Sequence, residues 1–306
     1  MRRRRGTAGI SHGFTMTVRN TIIDASSKLT ASERKLANAI FADYPFTGLK
    51  TIQELARHTG VSAPSVTRFV SKIGYGGYQD FQRQLIGELK ESRRSPLDLK
   101  ADARPADGGS FLGEYVARMG AVVREMGDSL PQNQFDAICG LVADPSRNVF
   151  LLGGRISDSI ASFLAIHLRQ IRGRIEHLPA APEQWPDQIL RMRKQDVVIL
   201  FDFRRYQADI AKLAAIIRER RKSSIVLITD KWMSPVARDS DLVVALPIAA
   251  GTAWDTVVCA IAFVEALIVK VSEADWPATR ERIEAWDAVR ITPADTENLD
   301  GDEHET

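Results

Sequence analysis

Between Thr51 and Gly74 the apolar positions follow the period of two short helices separated by a single glycine. Ile52, Leu55 and Ala56 share one face, and Thr51 precedes Glu54 at the capping-box spacing, in which hydroxyl and carboxylate satisfy free backbone donors at a helix start. Gly60 supplies the backbone freedom that a sharp reversal needs. Ser62 then caps a second helix, from Ala63 to Ile73, whose apolar residues Val66, Phe69, Val70 and Ile73 form one stripe and leave the opposite face free. Phe81 and Leu85 continue an apolar stripe after Tyr78, which predicts a closing helix packed under the pair.

Further along, the pattern changes to short apolar runs alternating with longer helical segments. Strands are predicted at 148–153, 196–201, 224–229 and 242–246, with helices near 113–127, 132–143, 157–171, 207–220 and 252–271. That alternation is the signature of an α/β unit with a largely parallel sheet. In such sheets ligands bind beyond the carboxyl ends of the strands, so the loops after them are the candidate site. Between the two patterns, charge, proline and paired glycines in 91–110 interrupt all periodicity and mark a linker.

The free face of the second helix carries Pro64, Arg68 and Ser71, flanked by Ser62, Ser65, Thr67 and Lys72. Short hydroxyls and long cations without an acidic neighbour can reach base edges and phosphates in a major groove. A helical hairpin with an ordinary solvated face is the alternative. Charge distribution argues against it: residues 1–94 hold 16 basic and 7 acidic side chains, net +9, whereas residues 95–306 hold 25 and 32, net −7. A basic first third on an acidic chain is what one phosphate-binding domain leaves in a sequence.

At 306 residues the chain has room for two domains at roughly 150 residues each. Its composition, 44% hydrophobic and 26% charged, is that of an ordinary globular protein. Cys139 and Cys259 lie far apart, with no nearby pattern of metal ligands, so neither a disulfide framework nor a metal site is expected, and a reducing, cytoplasmic home follows. No apolar run is long enough to span a membrane, and Glu265 interrupts the longest, Val257–Val271. Residues 1–16 read as a disordered basic arm or as an overextended start with Met16 the initiator, and 295–306, with six acids and no Lys or Arg, as a solvated tail.

Residues 29–82, from LTASERKLANAI through TIQELARHTGVSAPSVTRFVSKIGYGGYQDFQ, resemble the N-terminal domain of RpiR/MurR-type bacterial transcription regulators. The Leu29–Lys35 opening and the Gly74–Tyr78 run carry that likeness. VFLLGGRISDSIASFLAIHL and the later strand segments are similar to a SIS domain, the sugar-isomerase type of phosphosugar-binding fold, over about 113–272. The resemblance implies an all-α helix-turn-helix domain at 17–92, a linker at 93–112, an α/β SIS domain at 113–275 and an extension at 276–306 with the acidic tail. It further implies double-stranded operator DNA as partner, a sensed small molecule, a homodimer or homotetramer, and no cofactor.

The chain departs from the SIS pattern at its site. Of the family's Gly-x-Gly-x-Ser loop, Gly153 and Ser157 remain, while Arg155 replaces the second glycine. Where the family has a hydroxyl-rich phosphate cradle, this chain has Asp202, Phe203, Arg204, Arg205 and Tyr206. Arg155, Arg204 and Arg205, with Tyr206 and Asp230, could build a site for a carboxylate or phosphate, since guanidinium binds such groups bidentately. Alternatively Arg155 fills the old pocket and pairs with Asp202 or Asp230, leaving a domain that mainly dimerises. Trp185, Trp232 and Trp254 could wall a pocket or simply pack. A SIS-type sugar-phosphate isomerase is the enzymatic alternative, but His167 sits in a helical apolar pattern and His177 in a short strand-like segment, which reads as core or surface histidine, and no catalytic residue is assigned.

Overall fold

The computed structural model describes residues 17–102 and 110–290, so the basic arm and the acidic tail lie outside the described residues. The chain divides between Glu91 and Ser92 into two compact units.

In the first unit the helices are α1 (Val18–Ala25), α2 (Ala31–Ala42), α3 (Phe46–Leu49), α4 (Ile52–Thr59), α5 (Ala63–Lys72) and α6 (Tyr78–Glu91). Sequence-local caps set several of these boundaries. Thr30 with Glu33 and Thr51 with Glu54 each form a complete capping box, and Gly60 ends α4 in the left-handed conformation at φ 65°. Leu36, Ile40, Leu55, Val66, Phe69, Val70, Phe81 and Leu85 are fully buried, so the stripes of α2, α4, α5 and α6 face one core. Tyr78 and Gln82 donate to the Lys50 carbonyl, each at 2.8 Å, fixing α6 under the start of α4. Gly48 is required by a close approach, since a Cβ there would lie 2.4 Å from Leu85 Cδ1. The buried Glu88 accepts the Val18 N–H at 2.7 Å and the Tyr44 hydroxyl, tying α1 to α6.

The second unit runs α7 (Pro96–Asp102), α8 (Phe111–Ser129), α9 (Gln132–Ala143), β1 (Val149–Gly153), α10 (Asp158–Ile171), β2 (Ile175–His177), α11 (Trp185–Arg191), β3 (Val197–Phe201), α12 (Ala208–Arg220), β4 (Ser224–Asp230), β5 (Leu242–Leu246), α13 (Val258–Ala274) and α14 (Trp276–Asp287). The strands form a parallel sheet in the order β2-β1-β3-β4-β5. Val149, Leu151, Val197, Ile199, Val226 and Ile228 pack with α8, α9, α10 and α13, while Phe150, Leu152, Val198, Leu200, Ile225 and Leu227 pack with α11 and α12. Burial on both faces explains why these strands read as unbroken apolar runs.

Several elements differ from the sequence reading. Helix α13 begins at Val258, not 252, because Gly251 is left-handed and the Thr256 N–H bonds to the Ile248 carbonyl, holding 252–257 as a loop. Helix α11 is an addition, and the short strand-like segment around His177 is the three-residue strand β2. Residues 96–102, read as linker, form α7, whose start is capped by Ser95 and Asp98. Beyond 275 the chain forms α14, which packs on α10 within this unit, with Arg282 Nε donating to the Arg169 carbonyl. Among the described residues, no helix is long and apolar enough to cross a membrane.

Candidate functional site

Helix α5 buries Val66, Phe69 and Val70 and turns Pro64, Thr67, Arg68, Ser71 and Lys72 outward. Ala63, Pro64, Thr67, Arg68, Ser71 and Lys72 line a shallow open concavity along it. Ser62 caps the helix, accepting the Ser65 N–H at 3.4 Å, and the Arg68 guanidinium donates to Ser65 Oγ at 3.0 Å. Thr67 turns its hydroxyl back to the Ala63 carbonyl at 3.3 Å. Lys72 is less available than the sequence implies: its ammonium lies 2.7 Å from Glu33, which is also the capping-box carboxylate of α2. Glu33 is the residue here that sequence reasoning missed as part of this surface.

At the carboxyl ends of the strands, three loops converge: 154–157 after β1, 202–207 after β3 and 231–234 after β4. The crevice between β1 and β3 marks the reversal of strand order, where such sheets place ligands. Side chains of the protein fill it. Ser157 Oγ donates to the Phe201 carbonyl at 2.8 Å and accepts the Gly154 N–H at 2.9 Å. The buried Asp202 carboxylate accepts the Gln207 N–H at 3.1 Å, at the start of α12, and the Ser234 hydroxyl at 2.5 Å. Burial pushes its carboxyl up to about 7. A Cβ on Gly153 would come within 2.3 Å of the Asp158 backbone, so the α10 N-terminus presses directly on the end of β1.

Asp230, fully buried at the end of β4, accepts the Arg204 N–H at 2.6 Å, the Tyr206 hydroxyl at 2.8 Å and the Trp232 N–H at 2.9 Å. Burial raises its carboxyl to about 6 against these donors. Arg204 turns inward, stacking its guanidinium 4.2 Å over the Trp232 ring and pairing with Asp255 at 3.1 Å. Two non-glycine residues here are left-handed, Arg205 at φ 69° and Met233 at φ 63°.

The three arginines therefore part company. Arg204 is buried, whereas Arg155 and Arg205 are exposed on neighbouring loops. It is Arg204, not Arg155, that turns inward; Asp202 and Asp230 are met by the hydroxyl and backbone donors just named. Trp185 packs in the core beside α12 and donates to the Pro179 carbonyl, and Trp254 is exposed. His167 bonds to the Phe163 carbonyl of its own helix, and His177 to Asp158, each at short range. Ser234 and Gln207 are residues that sequence reasoning left out of this cluster. Of the neighbours Trp254 and Asp255, it is Asp255 that joins the cluster, through Arg204. Ser234 meets Asp202 across loops of two strands, so no local spacing marks it.

Two family descriptions match the chain: a helix-turn-helix domain of the rpiR family over residues 16–92, and a SIS domain over 144–270. An uncharacterized HTH-type transcriptional regulator of Haemophilus influenzae is 24% identical over 229 residues, covering 74% of this chain and 78% of that protein. Among solved structures, the sugar isomerase domain of an RpiR transcription factor from Sphaerobacter thermophilus superposes with a TM-score of 0.54 at 18% identity, covering 59% of this chain and all of that one. The Vibrio vulnificus NanR protein, complexed with ManNAc-6P, superposes with a TM-score of 0.50 at 17% identity, covering 88% and 97%. With a capped helix-turn-helix in one unit and a five-stranded parallel SIS sheet in the other, the chain belongs to the RpiR family of transcriptional regulators.

Proposed function

We propose that the protein binds a roughly palindromic operator through α5 while its SIS unit senses a small anionic metabolite and assembles the chain into a dimer or tetramer. The observation that carries the DNA half is the outer face of α5. It is exposed, cationic and hydroxyl-bearing, and a fully buried stripe holds it rigid from behind. Recognition helices of two subunits would meet half-sites about 34 Å or a multiple apart.

For the effector, Arg155 and Arg205 supply exposed guanidinium groups on adjacent loops, suited to a carboxylate or phosphate. The ManNAc-6P held by the Vibrio vulnificus protein supports a phosphorylated sugar as one such class. Gly153 would shape the site through its close approach to α10, Ser157, Tyr206 and Asp230 through their side-chain hydrogen bonds, and Arg204 through its pairing with Asp255. An effector binding one arrangement of SIS subunits more tightly would change the spacing of the recognition helices. The role is regulatory and not catalytic, since an isomerase has no use for the exposed cationic face of α5.

Fluorescence anisotropy on the protein's own upstream intergenic DNA, against scrambled DNA of equal length at about 150 mM salt, tests the reading. A preference of about a hundredfold or more is expected for a specific regulator. Equal, weak binding to both would return the SIS unit to its enzymatic alternative.

A further inference from the structure

Hydroxyl and guanidinium groups line up along the first two turns of α5. Ser62 Oγ, already the acceptor of the Ser65 N–H, lies 2.9 Å from Ser65 Oγ, which in turn accepts from Arg68 Nη2 at 3.0 Å. A guanidinium can only donate, so Ser65 Oγ accepts from Arg68, while either hydroxyl can donate between Ser65 and Ser62. The bond to Ser65 sets where Arg68 points.

We infer that Ser65 is a positioning residue that holds Arg68 ready for bidentate recognition of a guanine in the operator's major groove. This rests on the DNA-binding reading above and deepens it. Of the two cations of α5, Lys72 is paired with Glu33, whereas Arg68 has no carboxylate partner among the described residues. Its charge is therefore uncompensated. The partner it does have is neutral, which fixes direction without cancelling charge. One of five N–H groups is engaged by Ser65, and those left suffice for two parallel bonds. Guanine is the base that presents two acceptors, O6 and N7, side by side in the major groove. Arginine also carries large rotamer freedom, and ordering it in advance removes part of the cost of binding.

The test begins with selection of a consensus duplex from randomised DNA by the full chain. Each guanine of that duplex is then replaced in turn by 7-deazaguanine, which loses the N7 acceptor and keeps its pairing. Wild type is expected to lose about tenfold in affinity at one guanine per half-site. Arg68→Ala should show no loss there. Ser65→Ala should bind the unmodified duplex about three- to tenfold more weakly, with a smaller 7-deaza penalty at the same guanine, and Ser65→Thr should restore both. Rescue by the hydroxyl, with equal unfolding midpoints, separates positioning from a loosened helix. A full penalty retained in Ser65→Ala would remove the positioning role, and a penalty retained in Arg68→Ala would give the guanine to another residue. Selection that enriches no duplex would bring down the DNA-binding reading itself, and this inference with it.

Discussion

The face of α5 and the strand-end crevice of the SIS unit use the same side-chain types to opposite effect. On α5, Arg68, Ser71 and Thr67 stand in solvent, and the hydrogen bonds between Ser62, Ser65 and Arg68 orient donors without exhausting them. In the crevice, Ser234 bonds to Asp202 and Tyr206 to Asp230, and Arg204 turns inward to pair with Asp255. A buried polar group must be paired to be tolerated, and pairing spends the donors that a ligand would need. The contrast teaches that a polar side chain is a binding group only where some of its bonding capacity is left over.

The largest effect that would break this contrast lies at Asp202. Its folded carboxyl is raised by burial to about 7, above its unfolded value, so its contribution to stability is full below about pH 4 and lost as pH rises through about 7. Asp202→Asn keeps the acceptor for Gln207 and removes the titration. At about pH 8 the variant should gain up to about 4 kcal/mol over wild type, and urea unfolding at about pH 5 and 8 should show its pH slope flattened. Parallel slopes for the two proteins would mean that Asp202 is not the buried acid described.

Next is Gly153→Ala, whose Cβ would meet the Asp158 backbone at 2.3 Å and should cost about 1–3 kcal/mol in thermal unfolding. Gly154→Ala would instead meet the flexible Gln207 Cγ at 3.1 Å and is expected to be milder. If the two cost the same, the crevice is looser than its contacts imply. Of similar size, but on affinity, Arg68→Ala should weaken specific DNA binding by about 1–3 kcal/mol while leaving unfolding unchanged. An unaltered dissociation constant would take Arg68 off the recognition face. The smallest effect belongs to Glu33→Gln, which keeps the capping box and releases Lys72. DNA binding should tighten by about 0.2–1 kcal/mol in anisotropy, and looser binding would show that the ion pair holds Lys72 in a productive pose.

The same contrast explains what was legible in the sequence. Caps act over three residues, so Thr51 with Glu54 and Ser62 with Ser65 announced α4 and α5 directly. Strands β1, β3 and β4 were visible because burial on both faces makes their apolar runs continuous. The site within the SIS unit was not. Arg204 pairs with Asp255 and stacks on Trp232, both on loops that only the sheet brings together. Spacing could therefore not tell the inward arginine from its exposed neighbours Arg155 and Arg205. The ion pair of Lys72 was hidden for the same reason, since its partner Glu33 lies 39 residues away. Strand β2, three residues at the edge of the sheet, is too short to carry a period and showed only as a strand-like segment around His177.

That lysine has a thermodynamic consequence beyond its geometry. A cation that neutralises a phosphate of B-DNA sets free about 0.9 of a condensed counterion, and the sum of these releases is the slope of affinity against salt. Lys72 arrives at the duplex with a counterion of its own, Glu33, covalently part of the chain and unable to diffuse away. The pair carries no net charge to exchange. The salt dependence of operator binding should therefore register Arg68 and pass over Lys72, giving a shallower slope than a tally of basic residues on α5 would suggest.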